Sequence, residues 1–280
     1  MKYIFMVIIF LTILYNGVLF YVEKHMGEKN YSNVYQNPNI IWSSRGLYDT
    51  PSEQNTIKAF RRAFKEGFLG VEVDCYYDVS LDKFIISHSQ RKSSDGSNKY
   101  TLKNGKFLTL EELFSQLGKG HYFWVDYKNL DRLSEEDSLK AIERLNKIVS
   151  MDNLKERIYL EGSTPNHLKY YSDVGYKTLF AFGPLRENHP LASISSNFYK
   201  MIFYFYDMSA IAIQYGSVDN PKYGAKAEKN LKGIPIFLFH VPNETMLLKK
   251  LAKKEEVRVL LVGRDKSVNR TDIIAKSKDF

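Results

Sequence analysis

From residue 39 onward the hydrophobic period of the chain switches repeatedly between that of a strand and that of a helix. "NIIWSS" precedes the amphipathic "SEQNTIKAFRRAFKEGF", "LGVEVDCYY" and "KFIISHS" precede "TLEELFSQL", and "YFWVDYK" precedes "SEEDSLKAIERLNKIVS". "RIYLEG", "TPNHLKYYSDVG", "KTLFAFG", the aromatic stretch "NFYKMIFYFYDM", "AIAIQY", "IPIFLFHV", "ETMLLKKLAKKE" and "VRVLLVG" complete the series. Apolar runs alternating with helical patterns specify parallel βα units, since a parallel pair needs a long crossover and a helix supplies it. Roughly eight strands over about 230 residues is the size of one (β/α)8 TIM barrel. In the first helical segment Ser52 or Asn55 is the candidate cap, with Ile57, Phe60, Ala63 and Phe64 on one face.

Ahead of this domain Lys2 is followed by an almost unbroken apolar run from Tyr3 to Val22. About 20 such residues span a bilayer, and the flank "FYVEKH" lacks an A-x-A-like exit, so residues 1–22 read as an uncleaved transmembrane signal-anchor. Residues 23–38, polar with Gly, Asn and Pro, read as a linker, and residues 39–280 as the barrel. Lys2 and Lys24 flank the run on opposite sides; the orientation adopted is a cytoplasmic N-terminus with the domain on the extracytoplasmic side.

A formal charge of +8 suits an anionic partner. No compact Lys/Arg block interleaved with aromatics and no finger or recognition-helix signature occurs, so nucleic acid is set aside in favour of a phosphate ester or lipid head group. Cys75 is the only cysteine, which rules out a disulfide within the chain; next to Asp74, it points to the opposite face and is expected to be a small packed residue.

Barrel enzymes gather their reacting groups at the C-terminal ends of the strands. The polar residues at those positions are Ser44 and Arg45, Glu72 and Asp74, His88, Asp126 and Lys128, Glu161 and Ser163, Gln214, and His240. In "GVEVDCYYD" the acids Glu72 and Asp74 stand two apart and therefore share one face of a strand that is otherwise apolar. His240 is expected to be structural, and the aromatic run from Phe198 to Met208 to pack against the barrel.

The stretch "SSRGLYDTPSEQNTIKAFRRAFKEGFLGVEVDCYYDVSLDKFIISHS" resembles the opening of the glycerophosphodiester phosphodiesterase family, with its H-R-G, P-E-N-T, G-[IV]-E-x-D and H-D motifs in order. "FLTLEELF" is similar to the family's L-P-T-L-E-E segment and "WVDYK" to its E-x-K strand; the likeness runs over about residues 40 to 265. The resemblance implies a TIM barrel, a phosphoric diester hydrolase, and a divalent cation, Ca²⁺ or Mg²⁺, held by Glu72, Asp74 and Asp126. Hard oxygen ligands suit those ions, and clustered buried anions are costly unless a cation offsets them. By the same resemblance His88 is catalytic as proton donor or acceptor, and Arg45 and Lys128 are both catalytic and substrate-binding, with Ser44 lining the substrate site.

Four positions depart from the pattern. Ser44 replaces the histidine of H-R-G, Gln54 the glutamate of P-E-N-T, Ser89 the acid after His88, and Asp126 the longer glutamate of E-x-K. A serine cannot exchange protons near neutrality, and one missing general base costs about 10² to 10⁴ in rate. Three readings follow: a membrane-anchored phosphodiesterase of reduced or altered activity, a non-catalytic barrel that binds a phosphodiester or anionic lipid head group, and an envelope scaffold.

Overall fold

The computed structural model describes residues 2–92, 98–102, 105–150 and 153–263; residues 264–280, read above as the end of the barrel domain, lie outside the described residues. In chain order the elements are α1 (Lys2–Met26), β1 (Ile41–Ser44), α2 (Ile57–Lys65), β2 (Gly70–Asp78), β3 (Lys83–Ile86), β4 (Gln90–Lys92), β5 (Asn98–Tyr100) and α3 (Leu110–Leu117). There follow β6 (Tyr122–Tyr127), α4 (Glu135–Ile148), β7 (Ile158–Gly162), α5 (Pro165–Asp173), β8 (Lys177–Phe182), α6 (Ala192–Phe205), β9 (Ala210–Gln214), α7 (Ala225–Asn230), β10 (Ile236–Phe239), α8 (Thr245–Ala252) and β11 (Val257–Val262).

Eight parallel strands close on themselves in the order β1-β11-β10-β9-β8-β7-β6-β2, with β2 returning to β1, which is the expected (β/α)8 barrel. One strand of the sequence reading falls elsewhere. "KFII" forms β3, which pairs antiparallel with the second half of β2 (Cys75↔Ile86, Asp78↔Lys83), and "VRVLLV" supplies the eighth barrel strand instead. A short apolar run looks the same in either direction of pairing, so periodicity alone does not separate a hairpin arm from a barrel strand.

Alternation along the strands divides the core into two layers. Outward residues such as Val71, Val73, Phe123, Val125 and Leu160 pack under the helices, while Trp42, Trp124, Tyr159, Leu179, Ala212 and Phe237 fill the interior. The interior is plugged at the N-terminal end by Val34 and Tyr35, both buried, so part of the segment read as a linker belongs to the core. Tyr35 packs edge-on against Trp42 and Tyr122, and its N–H donates to the Tyr159 hydroxyl at 2.8 Å. The aromatic run divides: Met201, Phe203 and Met208 are buried, whereas Phe198 and Phe205 are exposed. Cys75 is buried in the outer layer, facing away from the acids as expected.

Gly70, at the start of β2, sets how closely Trp42 approaches: a Cβ there would stand 2.2 Å from the Trp42 ring. Gly70→Ala is accordingly expected to destabilise the barrel by about 1–3 kcal/mol through overpacking, read as a lowered midpoint in denaturant unfolding. Equal stability would show that the tryptophan moves freely.

Candidate active site at the barrel mouth

The acids are delivered by register. β1 pairs Ser44 with Glu72, β2 pairs Asp74 with Asp126 on β6, and β7 sets Glu161 beside Asp126. Aligned neighbours in parallel strands point the same way, so a carboxylate ring forms at the C-terminal ends. One ligand oxygen from each of Glu72, Asp74 and Asp126 lies within 4.8 Å of the others. Glu72 and Asp74 are buried and Asp126 is half-buried.

Two cations bracket this cluster. Arg45 Nε stands 2.9 Å from Asp74 Oδ2 and 4.0 Å from Glu72 Oε2, and a terminal guanidinium nitrogen donates to Gln54 Oε1 at 3.3 Å. Lys128 Nζ lies 2.8 Å from Asp74 Oδ1 and also pairs with Asp126, so Asp74 bridges both cations. Arg45 takes a positive φ of 57°, a backbone region costly for a side chain of its size. It is held there by its N–H to the Glu72 carbonyl and by the Asn55 N–H to its own carbonyl. Gly46 follows with φ 80° in a space where a Cβ would meet the Ala59 backbone at 2.7 Å, which is why the "RG" pair turns so tightly over α2.

The α2 cap is Thr56, whose Oγ1 accepts from the Ala59 N–H at 3.1 Å; neither Ser52 nor Asn55 serves. Asn55 is instead buried with a positive φ, its side-chain amide donating to Asp74 Oδ2 at 2.7 Å and its Oδ1 accepting from the Asp74 N–H at 3.2 Å. By residue type Asn55 is a cap candidate; its place in the "QNT" stretch is the sequence signal for its position beside Asp74. Gln54 lies against Arg45, and Glu53 is turned away, accepting from the Asp49 N–H and pairing with Lys58.

His88 follows β3 and is exposed, anchored by its neighbour Ser87, whose N–H donates to the Asp74 carbonyl at 3.0 Å. Its charged surroundings are Asp74, Arg45 and Lys128; partial burial, reinforced by the two cations, moves its pKa below the usual histidine value. Ser44 donates from Oγ to Glu72 Oε2 at 2.5 Å. All seven residues singled out for the site, Ser44, Arg45, Glu72, Asp74, His88, Asp126 and Lys128, therefore meet at one mouth. Ser163 and Ser89 are exposed, and the Ser89 carbonyl accepts from the Ser87 hydroxyl.

Four further residues meet there. Glu161 accepts from the Trp124 indole, and burial followed by repulsion from Asp126 and Glu72 raises its pKa well above the usual carboxylate range. Lys222 donates to Gln214 Oε1 at 2.8 Å, which fixes the Gln214 amide so that its NH₂ faces His240 Nδ1 at 3.2 Å. That contact selects the neutral imidazole with its proton on Nε2. Burial, with Arg45, Lys128 and Lys222 nearby, also lowers the His240 pKa. His240, expected to be structural, thus lies among the charged groups of the mouth.

The donor set fits a divalent cation. It is all oxygen, it is anionic, and its members resist being charged together: burial and then repulsion from Asp74 and Asp126 push Glu72 up to about 8, while burial and Asp74 raise Asp126 to about 6 against the pull of Lys128.

No protein-family model matches the chain, and no curated protein matches its sequence. Solved structures do match in fold. A glycerophosphodiester phosphodiesterase from Parabacteroides distasonis superposes with a TM-score of 0.61 at 15% identity, over 84% of this chain and 96% of that one. Another from Agrobacterium tumefaciens gives a TM-score of 0.52 at 12% identity, over 84% and 98%. A glycerophosphoryl diester phosphodiesterase, also from Parabacteroides distasonis, gives 0.54 at 10% identity, over 88% and 90%. The chain has the fold of these phosphodiesterases.

Proposed function

We propose that the chain is a membrane-anchored, metal-dependent phosphodiester hydrolase of the glycerophosphodiester phosphodiesterase type, with reduced or altered activity. The observation that carries this reading is the triad Glu72, Asp74 and Asp126, its ligand oxygens within 4.8 Å of one another and flanked by Arg45 and Lys128. Anionic ligands bracketed by two partly exposed cations suit a metal and a phosphate together.

A phosphodiester resists attack because its charge repels a nucleophile and its alkoxide leaves poorly. Glu72, Asp74 and Asp126 would hold a divalent ion, which would supply charge neutralisation to the phosphate. Arg45 presents a planar fork to the phosphate, and Lys128 a compact charge whose pKa Asp126 and Asp74 raise in spite of burial, so it stays protonated. His88, whose pKa burial lowers so that it is mostly neutral at pH 7, accepts a proton from the water whose oxygen bonds phosphorus and returns it to the alkoxide oxygen as its bond to phosphorus breaks. The α1 helix, long and apolar enough to cross a bilayer and exposed over most of its length, tethers the barrel.

The test joins calorimetry to turnover. The full chain in detergent is expected to bind Ca²⁺ or Mg²⁺ with measurable heat that Glu72→Ala removes, and to hydrolyse a panel of glycerophosphodiesters in a reaction that His88→Ala slows about 10²- to 10⁴-fold. No metal heat in the parent would sink the reading.

Ser44 favours a second reading. Because its hydroxyl is committed to Glu72 and does not titrate near neutrality, the mouth has a phosphate cradle with one imidazole fewer than the resembled pattern. A barrel that binds a phosphodiester without cleaving it would show ligand heat but no turnover.

A further inference from the structure

The helix α1 does not leave the barrel at random. It packs against α6, and the partners advance in order: Lys29, just after α1, donates to the Tyr204 carbonyl at 3.2 Å and pairs with Asp207, and Glu23 meets Lys200 at 2.8 Å. Val22 is buried, and Leu19, Val18 and Tyr15 continue the same stripe half-buried while the opposite side of α1 is exposed. Going back along α1 therefore means going back along α6, toward Ala192. Since α6 follows β8, its start lies at the barrel mouth and its end at the opposite face. The exposed apolar part of α1 thus points past the mouth.

Length sharpens this. Tyr3–Leu14, exposed throughout, covers only roughly 18 Å at 1.5 Å per residue. Crossing a hydrocarbon layer of about 30 Å takes the helix up to Val22, and those last residues lie against α6. A bilayer spanned by α1 must then meet the first turns of α6 and the loops at their level.

That surface is built for it. The outer edge of α6 exposes Ile194 and Phe198, and the adjacent mouth segments expose Leu185 and Leu191 before α6, Val218 before α7, and Met246 at the start of α8, the last with 78% of its surface open. At the opposite end of the barrel the large exposed apolar side chains among the described residues are Val174 and Phe205. Exposed apolar groups gathered at one end of a soluble body mark a contact with an apolar phase.

We propose that the barrel docks mouth-first on the bilayer that α1 enters, so that the site takes its phosphodiester from a lipid head group in that bilayer rather than from solution. The substrate clause rests on the phosphodiesterase reading; the docking clause rests on α1, α6 and the rim.

The test uses the full chain reconstituted in phosphatidylcholine–phosphatidylglycerol vesicles carrying brominated acyl chains. Leu191→Cys, Met246→Cys and Val174→Cys are each labelled with an environment-sensitive dye, which the buried Cys75 does not take up. The labels at 191 and 246 are expected to lose most of their emission, and the label at 174 to keep it. Quenching at 174 alone, or at none of the three, overturns the docking. In parallel, a lysophospholipid in the vesicles and its water-soluble glycerophosphodiester are compared as substrates. Faster turnover of the vesicle lipid supports the full proposal. Turnover of the soluble diester with dry rim labels overturns it while leaving the hydrolase reading intact; quenched rim labels with no turnover of either substrate support the docking and overturn the hydrolase reading.

Discussion

Asp74→Ala is expected to lower the stability of the barrel by about 3–5 kcal/mol, because it removes the carboxylate that bridges Arg45 and Lys128 in a buried network and leaves both cations short of countercharge. Asp74 is fully buried; it accepts from the Asn55 amide and is ion-paired with Arg45, Nε at 2.9 Å, and with Lys128, Nζ at 2.8 Å. Arg45 and Lys128 retain about a fifth of their surface in solvent, so water relieves part of the cost and the lower end of the range is expected. Asp74→Asn preserves the shape and one hydrogen-bond acceptor but not the charge, and should fall between alanine and the parent. Urea unfolding of the full chain in detergent measures the series. A loss below about 1 kcal/mol for alanine would show that the two cations find other partners and that Asp74 does not organise the mouth. Loss of metal heat should accompany the substitution, since Asp74 is one of the three proposed ligands.

Asp74 also marks how far the sequence speaks. Two acids at i and i+2 in an apolar strand told which face they share, and the alternation of strands with helices told that the face lies inside a barrel; both statements are local, and the structure agrees with them. What supports the acids was less legible. Asn55 sits in a turn whose left-handed backbone swings its amide onto Asp74, and a residue of cap type before a helix gives no sign of that swing. The direction of β3 was hidden because parallel and antiparallel partners present the same apolar run. Val34 and Tyr35 lie in a polar stretch with no period, so their burial under the barrel follows from where the chain enters and not from their neighbours in sequence. The Lys222–Gln214–His240 chain joins three separate segments around β9 and β10, a juxtaposition that only closure of the barrel creates.

Ser44→His is expected to raise phosphodiester turnover by about 10² to 10⁴, the contribution of one positioned general acid or base. Ser44 ends β1 beside Glu72, its hydroxyl occupied by that carboxylate at 2.5 Å, within the mouth that also holds Arg45 and His88. A hydroxyl there can hold Glu72 in place but cannot accept a proton at pH 7, so on the proposed hydrolase reading His88 serves both halves of the reaction. An imidazole at 44 could donate to Glu72 from one ring nitrogen and leave the other free, which divides the two proton transfers between two residues. The pH profile provides a readout that simple repacking would not. In the parent, kcat/KM should rise with pH through the lowered pKa of His88, since the neutral base gains population as the proton leaves. In Ser44→His a second limb should appear, descending toward high pH, because one imidazole must now be protonated to act as acid while the other stays neutral. Turnover and profile both unchanged, with His88→Ala still inactivating the parent, would show that the serine is not where rate is lost. Turnover present only in Ser44→His would identify the natural chain as a binder that retains the cradle of a hydrolase and lacks one proton carrier.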